Sequence, residues 1–94
     1  MGVNITVCTK AENPHPEWDG ARQADDREFA TLLGSSTFPC VEWRDEYSDV
    51  FYRPADFAEW RRAIASRTWE NADRYEHLTD ILEGDPDYWI QVSY

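Results

Sequence analysis

Both ends of this chain alternate apolar and polar side chains, and that restricts the fold more than anything between them. Val3-Asn4-Ile5-Thr6-Val7-Cys8-Thr9 has the period of two that marks a half-buried strand. Tyr88 to Tyr94 repeats it, with Ile90, Val92 and Tyr94 on one side. A strand with one apolar face must bury that face against another layer.

The middle of the chain supplies that layer. Two prolines and Asp19-Gly20 make Asn13 to Gly20 a loop. Asp25 with Glu28 fits a capping box, and Phe29, Leu32 and Leu33 then share one helical face, with Gly34 as the stop. Residues from Ala21 are candidates for an extra turn ahead of it. Phe38 to Arg44 and Asp49 to Arg53 read as strands around a turn at Asp45 to Ser48. Pro39 belongs at the start or edge of the first, because it has no N–H for a ladder. A second capping box, Asp56 with Glu59, opens a helix whose apolar stripe is Phe57, Trp60, Ala63 and Ile64; Glu59, Arg61 and Arg62 are placed toward water. Asn71 is the expected N-cap of a third helix carrying Tyr75, Leu78, Ile81 and Leu82 inward, and Gly84 before Asp85-Pro86 ends it. The order β-α-β-β-α-α-β predicts one α+β domain over residues 1–94. A small, mostly antiparallel sheet of about four strands has helices packed on one face.

Charge sets the functional expectation. Nineteen acidic residues against nine basic ones give a net charge of −10 on 94 residues, and seven of the acids lie between Glu70 and Asp87. Such a surface repels nucleic acid and anionic membranes and attracts basic partners. The apolar content, 41%, with five tryptophans, is too high for a disordered acidic tail. No apolar run is long enough to span a membrane, and Met1 to Lys10 lacks the layout of a secretory signal. A cytoplasmic protein is expected, with Cys8 and Cys40 as reduced, buried thiols rather than a disulfide pair.

No catalytic motif is recognisable, so the expectation is a protein that is not an enzyme. His15 and His77 have no nucleophile near them in sequence, and nothing local to Cys40 lowers its pKa. The adjacent carboxylates Asp25/Asp26 and Asp45/Glu46 point in different directions, as caps and turn residues do. His15, Glu17 and Asp19 alternate, and His77 stands at helical spacing from Asp73 and Asp80, but neither set has the pattern of a zinc site or a calcium loop. No metal and no cofactor are expected. Met1-Gly2-Val3-Asn4-Ile5-Thr6 fits a myristoylation pattern and Asn4-Ile5-Thr6 a glycosylation sequon. Both fall in the first strand, whose core pattern already explains the residues.

Asp73, Glu76, Asp80, Glu83 and Asp87 recur every three or four residues. Through Glu83 they line one helical stripe with a rise of about 4.5–6 Å per step, comparable to phosphate spacing along a nucleic-acid strand. Two readings stand: an ordinary solvated face, or a row that occupies a basic groove made for nucleic acid. Among the tryptophans, Trp60 lies on a core stripe, and Trp43 and Trp89 can point to either side of their strands. Trp18 and Trp69 sit among acids in a loop and at a helix junction. They either finish the core or anchor a basic partner. The candidate partner-binding residues are therefore Asp73, Glu76, Asp80, Glu83, Asp87, Trp18 and Trp69.

Met1-Gly2-Val3, Tyr52-Arg53-Pro54-Ala55-Asp56-Phe57 with Trp60-Arg61, and Asp85-Pro86-Asp87-Tyr88-Trp89-Ile90 resemble a set of short proteins of unknown function from phages and prophages of GC-rich bacteria. Size and acidity are similar in type to anti-CRISPR and other anti-defence proteins, without a shared motif. The resemblance carries no site residue over. Taken with the acidic surface, this likeness of type leads to the expectation of an inhibitor, acting in the host cytoplasm, that occludes a basic nucleic-acid-binding surface of a bacterial defence complex. Its partner is a defence-complex subunit or nuclease, bound by protein–protein contact with no nucleic acid and no membrane, and the inhibitor is a monomer or homodimer. Alternatives are an immunity protein that neutralises a basic nuclease toxin and a virion structural or assembly protein.

Overall fold

A computed structural model of the chain describes residues 3–47 and 49–93. The elements run β1 (Asn4–Thr9), α1 (Asp26–Leu32), β2 (Cys40–Arg44), β3 (Val50–Pro54), α2 (Phe57–Ala65), α3 (Ala72–Gly84) and β4 (Tyr88–Ser93). The strands form one antiparallel sheet in the order β1-β4-β3-β2, so the first and last strands are neighbours, β1 at the edge and β4 inside. This is the α+β architecture that the alternation and capping patterns predict. Tyr94, expected on the inner side of β4, and the turn residue Ser48 lie outside the described residues.

Register decides which side chains meet. Val7 pairs with Ile90 and Ile90 with Tyr52, and these residues carry the sheet side of the core. Their neighbours Cys8, Trp89 and Phe51 must then face the other way, since side chains alternate along a strand. The helices lie on the first face. Phe29 of α1 is the hub of the aromatic core, with ring centroids 4.5 Å from Tyr75, 5.5 Å from Phe38, 5.8 Å from Trp60 and 6.1 Å from Trp69. The buried indole N–H groups are satisfied. Trp60 Nε1 donates to Thr79 Oγ1 at 3.0 Å, and Thr79 in turn donates to the Tyr75 carbonyl at 2.7 Å.

Helix ends follow the sequence at some places and depart from it at others. Asp56 caps α2, accepting from the N–H groups of Ala58 and Glu59 at 2.9 and 3.1 Å. Gly34 stops α1 with φ +80, where a side chain is strained and a Cβ would meet Glu42 Oε1 at 3.1 Å. The first capping box does not form. Asp25 has helical φ/ψ, so its carboxylate is turned from the α1 N–H groups. It accepts instead, at the surface, from the N–H groups of Glu70 and Asn71, just ahead of α3, at 2.6 and 3.3 Å. Glu28 pairs with Arg67. Asn71 likewise does not cap with its side chain, which donates to Gln23 Oε1. Pro39 directly precedes β2, an edge strand, as its missing N–H requires. Both thiols are free, Cys8 fully buried and Cys40 half-buried. No helix among the described residues is long and apolar enough to cross a membrane.

Candidate partner-binding surface

Helix α3 separates its surface into three stripes. Tyr75, Leu78, Thr79 and Leu82 are buried. Glu76, Asp80 and Glu83 lean toward α2, where one guanidinium collects them: Arg61 lies 3.2 Å from Glu76, 2.9 Å from Asp80 and 3.0 Å from Glu83. These hydrogen-bonded carboxylates, Asp80 first, hold Arg61 above the usual arginine pKa. Arg61 was expected to face open water; packed beside α3 it relieves the repulsion that like charges three and four residues apart would otherwise have. The third stripe, with Asp73 and His77, faces the loop of residues 13–25.

That loop is fastened to the sheet and to α3 by backbone and ring contacts. Cys8 and Pro14 form an antiparallel bridge, and the His15 N–H donates to the Val7 carbonyl at 2.8 Å. Trp18 Nε1 donates to the Ile5 carbonyl at 3.0 Å, and the Arg74 guanidinium stacks 4.3 Å from the Trp18 ring centroid. Arg74 also donates to the Asp19 carbonyl and makes a two-pronged pair with Asp26, at 3.1 Å on each arm. Asp26 is 1% exposed, and it further accepts from the Tyr75 hydroxyl at 2.7 Å and the Gln23 N–H at 3.1 Å. Burial first, then the hydrogen bond to Asp26, pushes the Tyr75 pKa up, so its proton stays in place.

Between this loop and α3 lie two neighbouring clefts, together the α3 groove. One, of about 360 Å³, has Glu17, Asp19 and Asp73 on its walls with Trp18 and Arg74. The other, of about 380 Å³, has Asp80, Asp85 and His15. Glu17 and His77 belong to both, with His77 Nε2 3.1 Å from the Glu17 carbonyl oxygen. The lining is thus five carboxylates, of which Asp80 is also paired with Arg61, beside one arginine whose charge is already met by Asp26.

The candidate residues are therefore dispersed. Asp73, Asp80 and Trp18 line the groove. Glu76 and Glu83 line neither cleft and are bound to Arg61 on the α2 side. Asp87 lies beyond α3, in a separate cleft with Lys10 and Trp89. Trp69 is 7% exposed, donates its indole N–H to the Ile64 carbonyl and meets the Tyr75 ring, tilted, at 4.9 Å; it lies in the core. Glu17, Asp19 and Asp85 are groove residues that the helical periodicity of α3 does not reach, because only the folded loop and turn bring them to it.

His15, Glu17 and Asp19, and His77 with Asp73 and Asp80, are not gathered as ligand sets: among the described residues no three of His, Cys, Asp and Glu converge. His15 Nδ1 accepts from the Glu17 N–H, and its ring meets Tyr88 edge-on at 4.7 Å. The thiols show no activation. Burial, with Glu12 adding to it, raises Cys8 to about 11, and burial raises Cys40 to about 11.

No known protein family, no curated protein and no solved structure matches the chain.

Proposed function

We propose that the chain is an acidic binding protein whose α3 groove engages a basic surface of another protein, one that otherwise holds nucleic acid. The observation that supports this reading is the groove itself: Glu17, Asp19, Asp73, Asp80 and Asp85 along two neighbouring clefts that share Glu17 and His77, with Trp18 half-buried in the wall of one. α3 extends 13 residues, about 20 Å, long enough to face several phosphate sites of a nucleic-acid channel. Lysine and arginine side chains are the complementary occupants, and the excess negative charge speeds their arrival. The resemblance to short phage and prophage proteins directs the proposal to a bacterial defence complex as the class of target.

The test is capture from bacterial lysate with immobilised wild-type chain, beside an Asp73→Lys/Asp80→Lys variant. The proposal expects a nucleic-acid-binding protein on the first and its loss on the second. Equal capture by both variants, or a captured partner that is acidic, overturns it.

A further inference from the structure

The sheet face turned away from the helices carries its own small cluster. Phe51 and Trp43 are cross-strand partners with ring centroids 5.2 Å apart, and Phe51 is fully buried there. Trp89 pairs with Cys8 on the same face. Above these rings stands Lys10, the only lysine in a chain whose other eight cations are arginines. Its ammonium nitrogen lies 4.7 Å from the Trp43 centroid and 5.0 Å from the Trp89 centroid, both within the roughly 6 Å reach of a cation–π contact.

Lys10 reaches the rings from a turn that follows β1. Thr9 and Asn13 close the turn backbone to backbone at 3.0 Å, and Glu12 sits within it at φ +65. Clefts open on both sides of the lysine. One, of about 450 Å³, is walled by Glu12, Trp43, Asp45, Glu46 and Tyr47; the other, of about 370 Å³, has Asp87 and Trp89. Four carboxylates surround the site, yet among the described residues none lies within ion-pair distance of the ammonium. The rings hold it instead. A second cation near Trp89, Arg53 at 6.0 Å, is fixed by the carbonyl oxygens of Leu82 and Asp85 at 2.8 and 3.2 Å. Lys10 has no such tie and is exposed.

We propose that Trp43 and Trp89 form a cage for a lysine side chain of a partner protein, and that Lys10 fills it as an internal substitute in the free chain. The cage already accommodates an ammonium on a four-carbon stem, and the surrounding carboxylates favour a cation over a neutral or anionic occupant. Swinging Lys10 out exchanges one ammonium for another at little cost, so the apparent affinity falls by the fraction of cages that Lys10 occupies. This site lies across the sheet from the α3 groove and stands whether or not the groove binds a basic partner.

The test is titration with Nα-acetyl-lysine methylamide, read from the indole N–H signals of Trp43 and Trp89. Nα-acetyl-norleucine methylamide serves as the neutral analogue. Lys10→Ala and Lys10→Gln both vacate the cage from an exposed turn, and backbone circular dichroism reports whether each is folded. The lysine amide should shift both indole signals, at least about threefold more tightly in either variant than in wild type. The norleucine amide should leave both signals in place. Equal shifts by the two amides, or equal affinity in wild type and both folded variants, overturns the proposal.

Discussion

Arg61 Nη2 and Asp80 Oδ1 meet at 2.9 Å across α2 and α3, with Glu76 and Glu83 drawn to the same guanidinium. The most acidic stretch of the chain is therefore partly neutralised from another helix. Arg61→Ala frees three like charges on one helix face. It should lower stability by about 0.5–1 kcal/mol in urea unfolding at low salt, and the loss should shrink as salt screens the repulsion. A loss that is unchanged by salt would mean that Arg61 acts through packing of its stem.

Asp26 and Arg74 form the buried counterpart, 1% and 8% exposed at the side chain. Arg74→Ala leaves a desolvated carboxylate with only Tyr75 and the Gln23 N–H against it. The expected cost is about 3–5 kcal/mol, large enough to unfold a small domain. Tyr75→Phe, which removes a single hydrogen bond to that carboxylate, should cost about 1–2 kcal/mol. Denaturant midpoints measure both, and a mild Arg74→Ala would show that water reaches Asp26.

The thiols give a pH dependence with a definite sign. Burial raises Cys8 from 9.0 to about 11, so the folded protein keeps a proton that the unfolded chain releases. The stabilisation is full below pH 9 and is lost as pH rises toward about 11. A shift of this size corresponds to on the order of 2 kcal/mol for a buried thiol. Thermal unfolding between neutral and alkaline pH should show the decline, and Cys8→Ala should remove part of it. At neutral pH a thiol-specific reagent should react with Cys8 only as fast as the protein unfolds.

Asp25 illustrates what the sequence did and did not disclose. The strands and helices were legible because apolar spacing of two and of about 3.6 residues is a local property. Asp56 was legible as a cap for the same reason. Asp25-x-x-Glu28 has the same spelling, yet its carboxylate serves the N–H groups of Glu70 and Asn71, a partnership 45 residues away. Nothing local distinguishes the two aspartates. Trp69 lies beside Glu70 in sequence and inside the core in space, whereas Trp43 and Trp89 could be assigned a face only from the pairing register. The groove was half-visible: α3 displayed its acids, but Glu17 and Asp19 join it only through loop contacts at Val7 and Ile5. Asp25→Ala should accordingly cost about 1–2 kcal/mol, as loss of a true cap does, and Glu28→Ala less than about 1 kcal/mol. Comparable losses would restore the local capping box.

An α3 groove that takes the place of nucleic acid on a basic protein must compete with it for one site. The most direct measurement is competition by fluorescence anisotropy. The protein captured by the wild-type chain is loaded with a labelled oligonucleotide and titrated with the chain. The label should be released, the midpoint should move to higher chain concentration as salt rises from about 50 to about 300 mM, and Asp73→Lys/Asp80→Lys should release none. Anisotropy that climbs instead, as a three-part complex forms with the oligonucleotide still bound, would contradict that competition.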